Sequence, residues 1–419
     1  MSTLLPWHLR HLLLAPHRLG FFLAMVLLWC AGLWWALVQG DRLSGMLGLA
    51  YVLSPSLVHG AVMTFGFIPL FFSGFLFTAG PKWLGVVPPE APQLLVPLLL
   101  QAVGWLLWLA GVHVHLALGV GGLVLAFAGL LWMSVLFWRL VLRSPVPDQL
   151  HARVIAWACG VGCLSVLGLL ASVVAGADAV ALACVFTGLW GFVVAVYVVV
   201  AHRMIPFFTS SAMPQVAARR PFWALGLMLA VVVLEVLAGW VDLLQPTGTA
   251  WGTAWLLLRG TLELAAGGVL LWLACVWGLV QSFKNRLLAM LHIGFVWLGL
   301  ALLIGGASQW LSWGTGTPVL PLGALHALTM GCLASLMLAM VTRVSAGHSG
   351  RALVADGRVW VLFLLLQAVT VLRVLAAWPS GYGAWLLLLA ACAWFGLMAL
   401  WGGPLANWYG QLRPDGRAG

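Results

Sequence analysis

Apolar residues fall in stretches of about twenty, the length a helix needs to cross a hydrocarbon core. Short polar or Pro- and Gly-rich connections separate them. Twelve such stretches predict transmembrane helices at residues 19–38, 56–79, 93–111, 116–138, 154–175, 179–200, 222–244, 254–280, 288–310, 319–342, 358–378 and 382–402. Connections such as Pro88-Pro89-Glu90-Ala91-Pro92 and Gly314-Thr315-Gly316-Thr317-Pro318 leave no room for a soluble domain between spans. The pattern predicts an all-α, polytopic membrane protein, one helical domain over residues 1–419, without a two-fold repeat. The first apolar run is long and lacks a small-residue cleavage site, so it reads as a span and not as a cleavable signal.

Composition agrees. With 64% hydrophobic and 7% charged residues, the chain has too few charges to cover a soluble surface. The net charge of +10 could suggest a nucleic-acid partner, but the basic residues do not form a patch. If the N-terminus is cytoplasmic, sixteen of the nineteen Lys and Arg, from Arg10 to Arg417, fall on the cytoplasmic side. That asymmetry supports an N-in, C-in orientation and leaves no reason to invoke nucleic acid. The seven cysteines are dispersed in apolar stretches without Cys-x-x-Cys or Cys-x-x-Cys-His, so covalent haem attachment is not expected. Most of the 26 tryptophans suit interfacial belts and helix packing.

The exceptions carry the candidate chemistry. Arg259 lies just inside span 8, with Glu263 one turn deeper; Glu235 and Asp242 lie in span 7, and Arg373 near the outer end of span 11. Ionisable residues inside a membrane are costly and are functional candidates. They predict a polar cluster in the outer half of the bundle. It reads either as a self-neutralising Arg259–Glu263 pair, or as a proton path or a clamp for an acidic group.

The histidines sort by depth. In span 10, Ala327, Gly331, Ser335 and Ala339 form a small-residue ridge that lets another helix approach, and His326 and Met330 are placed on the neighbouring i, i+4 row. His59 begins span 2 as His326 begins span 10, at similar depth, with Met63 four residues on. Two imidazoles at one depth suit the axial positions of a haem iron, or a haem ligand facing a copper ligand. The alternative is two separately hydrogen-bonded histidines. On the inner side, His202, His292 and His348 could share a copper ion or meet a haem, or be loop and interface residues. His8, His11, His17 and His151 read as plain surface residues, and His113 and His115 as a weak surface metal site. Phosphate-binding loops, Gly-x-Ser-x-Gly and His-Glu-x-x-His are absent, and the acids are too few for a di-metal carboxylate centre.

Several motifs carry a resemblance. They are His59-Gly60-Ala61-Val62-Met63, Gly74 through Gly85 with Pro81-Lys82-Trp83, and Arg203-Met204-Ile205-Pro206-Phe207-Phe208-Thr209. Leu291-His292 follows, then His326 through Gly331 running on to Arg343 and Gly347-His348-Ser349-Gly350-Arg351. Together with the twelve-span layout, the chain resembles the NnrS family, haem- and copper-containing membrane proteins linked to nitric oxide and denitrification. That family usually reads His-Ala-His-Glu-Met where this chain has Ala61 and Val62, and Pro-Asn-Trp where it has Lys82. The resemblance implies a bacterial inner-membrane protein of nitric oxide metabolism or nitrosative stress. It implies non-covalent haem of the b type, with copper as a second candidate metal, and an unidentified electron donor. His59 and His326 are then the expected haem ligands, with His202, His292 and His348 as a second metal or haem-edge set. Arg259 and Arg373 would hold propionates, and Glu263 and Glu235 would carry protons for a reductase. A proton-coupled secondary transporter and a non-catalytic nitric oxide sensor or scavenger stand as alternatives.

Overall fold

A computed structural model describes residues 6–216, 218–244, 249–378 and 380–413; Arg417 lies outside them. All twelve expected spans are present as long apolar helices. They are α1 (Pro16–Ser44), α2 (Pro55–Leu84), α3 (Ala91–Val114), α4 (Leu116–Arg143), α5 (Leu150–Val174) and α6 (Asp178–Ala212). Then follow α7 (Phe222–Leu244), α8 (Ala250–Val276), α9 (Arg286–Thr315), α10 (Gly323–His348), α11 (Gly357–Leu375) and α12 (Gly383–Tyr409). Among the described residues there is no strand. This is a multi-pass membrane protein, because a lone helix satisfies its own backbone groups where no water can.

Three spans depart from regular α-helix, each near a candidate residue. The first turns of α2 (Pro55–Phe65) end at Gly66. Pro69 has no N–H to offer the Phe65 carbonyl, so the helical ladder must break there. α6 contains a π-helical segment at Leu189–Val194. α10 contains another at Ala327–Leu333, directly after His326. Such segments carry an extra residue per turn and often mark functional positions.

Contacts gather in two compact units. The first comprises Met1–Val196, Val341–Leu353 and Met398–Gly419; the second comprises Tyr197–Met340 and Val354–Leu397. Lipid gives helices no hydrophobic reason to associate, so packing must come from close backbone approach at small residues. In the first unit, a Cβ on Gly104 of α3 would stand 2.5 Å from the Gly122 carbonyl oxygen and 2.6 Å from the Ala126 nitrogen of α4. α1 and α2 meet in the same way, where a Cβ on Gly20 would lie 2.7 Å from the Gly74 nitrogen. In the second unit, Gly267 of α8 faces Gly299 of α9, and Gly331 of α10 lies under the Trp297 ring of α9. The Trp297 indole donates to Gln367 Oε1 at 2.7 Å, and Gln367 Nε2 donates to Ser335 Oγ at 3.0 Å. The ridge expected from Gly331 and Ser335 is therefore a packing surface.

Candidate functional site

In the second unit, the intramembrane charges converge on one guanidinium. Arg259 reaches Glu235 of α7 at 2.6 Å, Asp242 of α7 at 2.8 Å and Glu263 of its own helix at 2.8 Å. Glu235 and Asp242 are seven residues apart, two helical turns, so both face α8. The Trp255 indole donates to Asp242 Oδ1 at 2.9 Å, and Gln309 Nε2 of α9 donates to Glu263 Oε1 at 2.9 Å. A self-contained Arg259–Glu263 pair is therefore not what forms. Glu235 and Glu263 are buried, and Glu235 Oε1, Glu263 Oε2 and Gln309 Oε1 accept no hydrogen bond. The cluster therefore keeps buried acceptor oxygens that meet no donor.

His326 opens α10 in the same unit. Its Nδ1–H donates to the Leu322 carbonyl at 2.9 Å. That bond fixes the tautomer and leaves the Nε2 lone pair outward, the arrangement that prepares an imidazole for a metal. Arg373 of α11 is the charged side chain acting on the ring. It is 9% exposed, and no described residue accepts a hydrogen bond or ion pair from its guanidinium. A buried arginine without a counter-charge is costly. Met330 falls inside the π-helical segment, so the regular i, i+4 row expected for His326 and Met330 is interrupted.

His59, in the first unit, sits in the first turns of α2, its ring stacked on Trp35 with centroids 3.9 Å apart and planes 14° apart. The Arg42 guanidinium covers Trp35 at 5.5 Å. The adjoining loop is built around Asp41, whose carboxylate accepts from the amides of Leu47, Gly48 and Leu49 at 2.8, 2.9 and 3.0 Å.

His202 and His292 lie in the second unit. His202 Nε2–H donates to the Pro221 carbonyl at 3.1 Å, tying down the connection before α7. Thr209 Oγ1 donates to Ile205 O, so His292 Nε2–H must be the donor to Thr209 at 3.0 Å. Its buried Nδ1 has no partner. His348 lies in the first unit, against His17. Among the described residues no three His, Cys, Asp or Glu side chains are grouped so as to hold one metal ion.

The family model for the NnrS protein matches residues 11–413, nearly the whole chain. The chain belongs to the NnrS family. No curated protein matches it. NnrS membership makes it a nitric oxide-related membrane protein. Two of the NnrS motifs are also structurally joined: Thr209 of one bonds His292 of another. At the departures from the usual NnrS pattern, Ala61 and Val62 are fully buried apolar residues.

Sequence reasoning misjudged several histidines of this NnrS chain. His11, His17 and His151 are not surface residues; they are 6%, 3% and 3% exposed. For His11 the cause is the end of α12, where the last carbonyls need donors. His11 Nδ1–H supplies one to Gly410 at 2.8 Å, while Arg18 supplies Tyr409 and Gln411. Pro16 at the first helical position was the available signal, since it starts α1 early enough to include His17. His113 is not free for a metal either. Its Nε2 accepts from the Trp34 indole at 2.8 Å and its Nδ1–H donates to Ala50 O at 2.9 Å. His115 Nδ1 accepts from the Ala117 amide.

Proposed function

We propose that this NnrS-family chain is an inner-membrane haem protein of nitric oxide metabolism, with its N- and C-termini in the cytoplasm. One observation carries the reading: an imidazole with its lone pair set outward by the Leu322 carbonyl lies in the field of a buried arginine that has no counter-charge. Haem answers both needs at once, with iron for the imidazole and a carboxylate for the guanidinium. His326 would hold the iron and Arg373 a propionate. His59, stacked on Trp35, is the other candidate haem ligand that the family resemblance implies. Haem iron supplies a place for a diatomic gas to bind and an electron route for its reduction.

The residues around it do the rest. Arg259 orients Glu235 and Glu263, and their unpartnered oxygens can accept protons entering past the half-exposed Asp242. That is the equipment a nitric oxide reductase needs beyond an electron donor. His292, with its unpartnered Nδ1, remains the inner candidate for a copper ion. The same carboxylate cluster is what favours proton-coupled transport as the second reading.

The test is optical. The purified protein is expected to show a Soret band and a b-type pyridine haemochrome. His326→Ala is expected to lose most of that absorbance while still inserting, and Arg373→Ala to lose part of it. Full haem retention in both His326→Ala and His59→Ala overturns the ligand assignment; absence of any Soret band favours the transporter.

A further inference from the structure

At the end of the first unit where α1 begins, imidazole and basic side chains gather that the haem reading does not use. The His17 and His348 rings stand 4.6 Å apart between centroids, inclined by 42°. His17 is 97% buried by its 3% exposure, and its Nδ1 has no hydrogen-bond partner. No described residue accepts from or donates to the His348 ring. Lys82, near the end of α2, and Arg18 act electrostatically on both rings. Arg18 is fixed by its bonds to the α12 carbonyls, and Arg351 is fixed over the Trp408 ring at 4.2 Å.

Two features decide the sign of a ligand here. Among the described residues the ion pairs are those of Arg259, so no described carboxylate balances Lys82 or Arg18. In addition, Ala15 gives the amino end of α1 no side-chain cap, leaving the positive pole of a 29-residue helix beside His17. A metal cation would be repelled from such a place. An oxyanion would accept from the ammonium and from the imidazole N–H groups, and would occupy the field of the helix.

We infer that His17, His348 and Lys82 form a binding site for a phosphate group at the start of α1. This inference stands apart from the haem reading. Inorganic phosphate and the headgroup of an anionic phospholipid present the same chemistry to these side chains.

The two sources are separated by thermal unfolding of the full chain in uncharged detergent. One arm adds inorganic phosphate against chloride at matched ionic strength; the other adds phosphatidylglycerol against phosphatidylcholine. The site predicts a rise in melting temperature in at least one arm. The half-saturating concentration is expected to rise about tenfold in Lys82→Gln and in His348→Gln, the loss of one charge-assisted hydrogen bond. Arg139→Gln, an exposed basic residue of α4 outside the cluster, should leave it unchanged. Should His348→Gln fail to fold, the exposed Lys82 carries the comparison. A response to phosphate alone identifies a soluble anion, and one to phosphatidylglycerol alone identifies a lipid. No rise in either arm, or equal losses in Lys82→Gln and Arg139→Gln, overturns the inference.

Discussion

Arg259 sets one guanidinium against three carboxylates, two of them buried. In a low-dielectric setting the cation is what keeps Glu235 and Glu263 tolerable. Arg259→Leu is expected to cost about 3–5 kcal/mol, the usual effect of stranding a buried charge. A lower melting temperature would report it, and adding Glu235→Gln and Glu263→Gln to the same chain should recover part of the loss. Glu263→Gln alone is expected to slow nitric oxide turnover while leaving the visible spectrum nearly intact; unchanged turnover removes it from the proton route. Arg259, Glu235 and Glu263 were legible as a group because charges are conspicuous in an apolar chain. The second partner of Glu263, Gln309, was not, since a neutral amide in α9 stands out from nothing around it.

Helices α3 and α4 approach backbone to backbone through Gly104, Gly111, Gly119 and Gly122. A methyl group at Gly104 meets the α4 main chain, which cannot swing aside as a side chain can. Gly104→Ala should therefore lower stability by about 1–3 kcal/mol, as overpacking does. Gly121→Ala, where nothing lies within 4 Å, should not. Comparing the two unfolding curves separates packing from glycine propensity. The π-helical segments at Leu189–Val194 and Ala327–Leu333 could not be read from the sequence. Spans that are apolar all round have no polar face whose drift would reveal one extra residue. The consequence reached the site, because the segment after His326 breaks the row on which Met330 was expected.

Orientation belongs to the molecule as a whole. A green fluorescent protein fused to the C-terminus is expected to fluoresce and an alkaline phosphatase fused there to stay inactive, as the basic residues on alternate connections require. The reverse result would invert every inner and outer assignment made here. The number of spans, their approximate positions and the membrane class were determined by the chain alone, although α6 runs on to Ala212 where the span was expected to end at residue 200. Hydropathy acts locally, and each helix closes its own hydrogen bonds. The partners of the histidines were decided only by tertiary structure. His17 and His348 are separated by most of the chain, yet their rings meet in the first unit, and His113 is claimed by a tryptophan of another helix. Imidazole chemistry depends on which atom each ring nitrogen faces. That is set by the packing of distant helices, which spacing along the chain does not encode.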